Sequence, residues 1–369
     1  MSMILMNDFK AEPLELREAM LLAVSRVLES GWYVLGNEVK HFEEQWAAVC
    51  GVDHGIGVGN GMDALEIALR ALNIREGDEV ITTSLTAFAT ILAIIRSGAT
   101  PVLADIDPDT ALLSLESVKR CLTRKTKAVI LVHIYGQVRF LSEWTDFCNQ
   151  KEISLIEDCA QAHTAKWREK IAGSFGQAGA YSFYPTKNLG SAGDAGMLVT
   201  QSTILAKKAS NLRNYGQSER YLHPEIGLNS RLDEIHAAIL SERIKWLPKF
   251  TERRCKIADA YHSKIETPLV KHLARPEEKS AHVYHLFVVN CLQRDALQAH
   301  LLKNNIQSLI HYPFPIQKQR PCLEVARDPQ GLPNSEKHSS TCLSLPCHPQ
   351  MTDADTENVI KSINSFQGR

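Results

Sequence analysis

Long apolar runs are missing from this chain. Segments such as Ala128–Val132 fall far below the roughly 18 residues that a membrane-spanning helix needs, and the opening MSMILMNDFK has only a short apolar burst that Asp8 soon interrupts, unlike a secretory leader. Charge of one sign is missing too. Lys plus Arg number 41 against 42 Asp plus Glu, a net charge of −1, so no overall basic field draws the chain to nucleic acid or to an anionic membrane. The nine cysteines include no CxxC pair. Their odd number and scattered positions exclude a zinc-type ligand set, so no metal is expected, and they point to reduced thiols in a cytoplasmic protein. What is present is an ordinary globular composition, 44% hydrophobic and 22% charged over 369 residues. At roughly 150 residues per domain, that is one large domain and a smaller one.

Strand-like and helix-like segments alternate through the first two thirds. Asp78–Ser84, Thr100–Ala104, Ala128–Ile134, Ile153–Ile156, Ala178–Phe183 and Gly196–Thr200 read as strands; Phe88–Arg96, Leu113–Leu122 and Leu141–Gln150 read as helices. Such alternation predicts an α/β fold whose parallel or mixed sheet is covered by helices on both faces, with ligands beyond the carboxyl ends of the strands. After Arg231 the texture changes. Leu232–Trp246 is a helix by its apolar spacing, followed by a strand at Tyr284–Asn290 and a helix at Asp295–Asn304, with prolines clustered at Pro313, Pro315 and Pro321. The expected division is 1–246 and 247–369.

Three segments carry candidate chemistry. Gly55–Leu72 (GIGVGNGMDALEIALRAL) runs from a glycine-rich turn into an amphipathic helix. A dinucleotide fingerprint is excluded on spacing, because the sixth position is Asn60 counted from Gly55 and Met62 counted from Gly57. A phosphate at the helix N-terminus and a plain tight turn capped by Asn60 or Asp63 account for this segment equally well. In Ile156–His163 an apolar strand ends in Glu157-Asp158 at the sheet edge. A carboxylate there either holds a protonated ring nitrogen or caps the next turn, while His163 reads as structural rather than catalytic. In Ala180–Ala195 (AYSFYPTKNLGSAGDA), Lys187 follows an aromatic strand in a turn-rich loop. That is a fitting place for an amine of lowered pKa that bonds a carbonyl carbon, and Ser182 offers a hydroxyl to a phosphate.

The ordered set Asp158, Gln161, Ser182 and Lys187 resembles the fold-type-I pyridoxal phosphate (PLP) enzymes. More narrowly, the chain resembles the nucleotide-sugar aminotransferases of the DegT/DnrJ/EryC1/StrS family. The likeness extends over nearly its whole length, through GWYVLGNEVKHFEEQWA (31–47), GNGMDAL (59–65), DEVITTSLTAFAT (78–90), VHIYGQ (132–137), EDCAQAH (157–163), YSFYPTKNLGSAGDAG (181–196), LRNYGQ (212–217), GLNSRLDEIHAAIL (227–240), IHYPFP (310–315) and LPCHPQMTD (345–353). Residues 212–240 look most like the branch acting on 3-keto-6-deoxyhexoses linked to a nucleoside diphosphate.

The resemblance implies a large, mainly parallel sheet domain with a smaller C-terminal α+β domain, and an enzyme that moves the amino group of L-glutamate onto a nucleotide-linked keto sugar, with dTDP as the expected carrier. Lys187 would anchor the cofactor covalently and shuttle the proton. Asp158 would pair with the pyridine nitrogen and Gln161 with the phenolic oxygen. Gly61, Met62, Asp63 and Ser182 would hold the phosphate, joined by Asn229 from the other subunit of a homodimer. Tyr184, Arg231, His311 and Tyr312 would line the sugar-nucleotide pocket. Amination at C4 rather than C3, and a non-catalytic PLP-binding regulatory protein, are the alternatives. Two positions depart from the family pattern. Ala87 stands where relatives carry an aromatic ring, and Gln317 where they often carry histidine. Lys187 itself argues against the family's dehydratases, which have histidine there.

Overall fold

The computed structural model describes residues 3–368. Two N-terminal helices, α1 (Leu14–Ser30) and α2 (Asn37–Cys50), precede β1 (His54–Val58) and α3 (Gly61–Ala71). The alternating series then runs β2 (Glu79–Thr83), α4 (Phe88–Arg96), β3 (Thr100–Ala104), α5 (Leu115–Cys121), β4 (Thr126–Val132), α6 (Leu141–Lys151) and β5 (Ser154–Asp158). A two-residue hairpin, β6 (Lys166–Trp167) and β7 (Lys170–Ile171), leads into β8 (Ala178–Ser182), β9 (Gly196–Thr200), α7 (Thr203–Leu212), α8 (Glu234–Arg243) and α9 (Leu247–Lys264). The remainder comprises β10 (Lys271–His272), β11 (Phe287–Asn290), α10 (Arg294–Lys303), β12 (Ala326–Arg327), α11 (Pro333–Thr341), β13 (Cys342–Leu345) and α12 (Asp353–Asn364).

The main sheet has the order β1-β9-β8-β5-β4-β2-β3-β12. Only β9 runs against its neighbours; the other pairings are parallel. This is the α/β architecture the alternation predicts. Its interior strands are apolar on both faces, as burial under helices on each side requires. In β4, Val129 and Leu131 enter one core cluster with Leu155 and Tyr181. Ala128, Ile130 and Val132 enter another with Ile156, Ala178 and Leu198, the period of two that a pleated strand imposes.

A second, antiparallel sheet of order β10-β11-β13 packs with residues of α9, α10 and α12 around Tyr261, Phe287, Leu297 and Ile360. The chain does not separate cleanly at residue 247. Ala326 and Arg327 extend the large sheet alongside Val102 and Leu103, and Ile316, Cys322 and Leu332 pack on Ile91 and Leu103. Asp328, directly after β12, takes an ion pair from Arg120 of α5 at 2.5 Å. The strand expected at Tyr284–Asn290 begins three residues late, because Tyr284 has a φ of +44°, which no strand accommodates. The helix expected at Leu232–Trp246 is α8 followed by a short 3₁₀ turn at Ile244–Trp246.

Candidate active site

The parallel strands deliver their carboxyl ends to one edge of the sheet, and the candidate residues collect there. Asp158 is the last residue of β5 and is buried. Its Oδ2 accepts from the Thr90 hydroxyl on α4 at 2.9 Å, and its Oδ1 from the Ala160 N–H at 3.1 Å. Thr90 is itself bonded to Thr86 at 2.8 Å. The carboxylate is thus fixed by two donors, one of which, the Ala160 N–H, belongs to the turn that follows β5, so it caps that turn while its other oxygen is held by Thr90. Three residues on, the Gln161 side-chain oxygen accepts from the Tyr135 N–H at 2.6 Å, which turns its amide nitrogen toward the Tyr312 hydroxyl at 3.3 Å.

Lys187 lies in the loop between β8 and β9 and shares one small cavity with Asp158, Gln161, Ala160 and Ala87. Burial disfavours its ammonium form and lowers the pKa from 10.5 to about 8, against an opposing pull from the Asp158 charge. The same loss of hydration, with the Lys187 charge added, takes His311 down to about 4. Burial, reinforced by Asp158, takes the Tyr312 phenol up to about 12, so at neutral pH both rings are uncharged.

The turn before α3 is built by glycine. A Cβ on Gly61 would sit 2.7 Å from Ser182 Cβ, and one on Gly196 would sit 2.3 Å from the carbonyl carbon of Asn60. Without those atoms the N-terminus of α3 can press against the ends of β8 and β9, which brings the Ser182 hydroxyl beside the first turn of the helix. The Gly61 and Met62 N–H groups belong to that turn, whose first donors have no intrahelical acceptor. Asp63 departs from the expected role. Its N–H is taken by the Asn60 side chain at 2.9 Å, and its carboxylate turns away to Ser230 at 2.7 Å and Arg96 at 3.5 Å. Asp63 therefore braces the turn, and the donors left for an anion are Gly61 and Met62.

Other expected residues lie apart from this cavity within one chain. Tyr184 and Asn229 are exposed. Arg231 bonds Asn214 at 3.0 Å and lies over the Tyr215 ring at 5.1 Å. His311 bonds Ser344 at 2.9 Å. His163 is fully buried against Trp46, Tyr181 and Phe183, with its pKa lowered to about 3 by burial, the Lys187 charge adding to the shift; it is a neutral core ring. Phe88 is 36% exposed and supplies no ring to the cavity, which Ala87 lines instead. Gln317 is buried and reaches Glu336 at 3.4 Å.

Beyond the residues expected from sequence, Thr90, Tyr135 and the pair Glu157–His133 also shape the site. Glu157 is completely buried and accepts from His133 Nε2 at 2.9 Å and from the N–H groups of Gly173, Phe175 and Gly176 at 2.8 to 2.9 Å. Burial alone would raise its pKa, but these donors outweigh it and hold the carboxyl below its ordinary value. With Cys159 the pair forms a trio whose ligand-type atoms lie within 4.8 Å of one another. The carboxylate is already saturated by four donors, so the trio is a hydrogen-bonded hub tying β4 and β5 to the 173–176 loop. The adjacency of Glu157 to Asp158 was the available signal, because neighbouring strand residues point to opposite faces.

Open N–H groups at a helix N-terminus, a held carboxylate, an inward amide and a lysine of lowered pKa fit a phosphorylated pyridine aldehyde, without a part for Asp63. Comparison with known proteins agrees. The model of the DegT/DnrJ/EryC1/StrS aminotransferase family matches residues 15–364. The chain belongs to that family. It is 42% identical over 344 residues to the dTDP-3-amino-3,6-dideoxy-alpha-D-galactopyranose transaminase of Aneurinibacillus thermoaerophilus, covering 93% of this chain and 94% of that protein. It is also 39% identical over 363 residues to a pleiotropic regulatory protein of Geobacillus stearothermophilus, covering 98% of each. The crystal structure of S. venezuelae DesV in complex with a ketimine intermediate superposes with a TM-score of 0.96 at 37% identity over the full length of both chains. The fold is the aminotransferase α/β fold that the sequence implied. Among the described residues, no helix is long and apolar enough to cross a membrane.

Proposed function

We propose that this aminotransferase-family chain is a PLP-dependent enzyme that transfers the amino group of L-glutamate to a dTDP-linked 3-keto-6-deoxyhexose, giving a 3-amino sugar. The observation that carries this is the convergence of Asp158, Gln161 and Lys187 on one cavity, next to a first helical turn that Gly61 and Gly196 let close on Ser182. The 42% identity to a dTDP-3-amino sugar transaminase supports the choice of C3.

PLP, when bound, supplies an electron sink that stabilises negative charge at the carbon losing its proton. The chain's own residues supply the rest. The Lys187 amine, with its pKa lowered to about 8, has a substantial neutral fraction at neutral to mildly alkaline pH. That neutral amine would hold the cofactor through its aldehyde carbon, with loss of water, and when freed by the amino donor would be placed to move a proton from the donor's alpha carbon to the cofactor carbon on the other side of the shared nitrogen. Positioned proton transfer of this kind contributes about 10²–10⁴-fold. Asp158, braced by Thr90 and the Ala160 N–H, keeps a ring nitrogen protonated. The Gln161 amide, now 3.3 Å from the Tyr312 hydroxyl, would donate to the ring oxygen, and Met62, Gly61 and Ser182 would hold the phosphate.

Tyr184, Arg231, His311 and Tyr312 are assigned to the sugar nucleotide and Asn229 to the partner subunit's phosphate. Asn229 is exposed in the single chain, and α1 presents an uncovered apolar stripe of Leu14, Leu21 and Leu28, at 54% to 71% exposure, which suits a homodimer interface. Residues 1–246 and 247–369 are assigned to the cofactor-binding and small domains, with Ile316, Cys322, β12 and Leu332 of the second part seated on the sheet of the first. The nine free cysteines support a reducing, cytoplasmic setting. Purified protein should absorb in the visible and lose that band on addition of glutamate. Glutamate-dependent product from dTDP-3-keto-6-deoxyhexose, with its nitrogen at C3 by NMR, supports the proposal; nitrogen at C4, or no product despite a glutamate-sensitive band, contradicts it.

A further inference from the structure

A groove of about 570 Å³ opens on the far side of Tyr135, between the Pro108–Asp109 loop, the edge of the small sheet and α11. That volume lies within the range of small-molecule sites, about 300–1,000 Å³. Its body is apolar, formed by Pro108, Pro268, Leu269 and Leu292. Lys271 and Lys337 stand at its rim, exposed, against the one carboxylate of Asp109. His272 and His338 also line it, and burial lowers both pKa values, His338 to about 4, so neither adds charge at neutral pH. The net charge of the lining is positive.

The groove's floor is bonded to the active site. His338 is 5% exposed, and its Nε2 meets the Tyr135 hydroxyl at 2.9 Å. That hydroxyl donates to the His311 carbonyl at 2.6 Å, so it accepts from His338, whose Nε2 therefore carries the proton. Nδ1 is then a lone-pair acceptor with no protein partner among the described residues. The Tyr135 N–H holds the Gln161 side-chain oxygen at 2.6 Å. An acceptor in the floor, two cations at the rim and an apolar body together call for a ligand with a hydroxyl, a phosphate and an apolar face.

We propose that this groove is a second small-molecule site, for a phosphorylated sugar or nucleoside, and that its occupancy is felt at Gln161 and His311 through Tyr135. The binding half is independent of the cofactor; the coupling half rests on the proposed function. The test titrates dTDP by calorimetry into holoprotein and into the doubly charge-reversed Lys271→Glu/Lys337→Glu protein. Both lysines are exposed, so the variant should fold as the parent does. Binding that weakens at least tenfold, or one class of sites that disappears, in the variant supports the site. An isotherm unchanged by charge reversal, or no binding to the parent, overturns it. For the coupling, dTDP should alter the rate at which glutamate removes the visible band more in the parent than in the variant. An equal response in both overturns that half, whereas absence of any visible band would count against the cofactor assignment instead.

Discussion

At Asp158 the carboxylate is held before any ligand arrives. The Thr90 hydroxyl and the Ala160 N–H each donate to one oxygen, which orients the group. A hydrogen bond to a charged group is worth about 1.5–3 kcal/mol. Thr90→Val keeps the shape of the side chain and removes the donor, so kcat should fall ~10–100-fold with the melting temperature little changed. A kcat within twofold of the parent would remove Thr90 from the account. Lys187 gives a pH prediction. Burial favours its neutral form, so the amine becomes reactive as pH rises through about 8 rather than through its ordinary 10.5. The rate at which apoprotein captures PLP, followed by stopped-flow absorbance, should climb with pH and level off just above 8. A rate still climbing toward pH 10 would contradict the lowered value.

Among the elements, the turn before α3 depends on missing side chains. Gly61→Ala would place a carbon 2.7 Å from Ser182 Cβ, and α3 must then withdraw from β8. Overpacking of this kind costs about 1–3 kcal/mol. PLP affinity, measured by equilibrium dialysis, should weaken ~10–100-fold, and unchanged affinity would show that the close approach does not shape the proposed phosphate site. Close approaches and uncovered faces also decide which elements the sequence shows and which it hides. Phe88–Arg96, Thr100–Ala104 and Gly196–Thr200 are apolar segments bounded by turn residues, and their limits were legible as they stand. His54–Val58 was not. Its glycines read as turn, yet they are there because a Cβ on Gly55 would meet the Glu43 carbonyl oxygen at 2.7 Å and one on Gly57 would meet Leu232 at 2.9 Å. Leu14–Ser30 was missed because it is apolar on two sides. Ala23 and Val27 pack with Ala238 while Leu14, Leu21 and Leu28 stay uncovered, which blurs the helical period. The two-residue β12 is specified by pairing with β3, which no local pattern encodes. The structure gathers Asp158, Gln161 and Lys187 at one cavity; Asp158 and Lys187 stood out by their chemistry, and Gln161 through the family resemblance. Thr90 and Tyr135 did not, since each acts through a residue distant in sequence.

At the scale of the whole molecule, one chain leaves its site open. Asn229, Tyr184 and Arg231 lie outside the cavity at Lys187, and the leucine stripe of α1 lies bare, with Trp32 beyond its end 63% exposed. In the proposed homodimer the second copy covers the stripe and Asn229 serves the neighbouring phosphate. Leu21→Asp/Leu28→Asp should therefore convert a dimer into a monomer by light scattering and lower PLP affinity as well. A monomeric parent, or a monomeric variant that binds PLP as the parent does, would contradict the shared site.

The proposed chemistry turns on Lys187 carrying the cofactor. Holoprotein should be treated with borohydride, digested and analysed by mass spectrometry. The predicted result is a phosphopyridoxyl adduct on the peptide containing Lys187 and on no other lysine. An unmodified Lys187 peptide in protein that retains the visible band, or an adduct elsewhere, would contradict it.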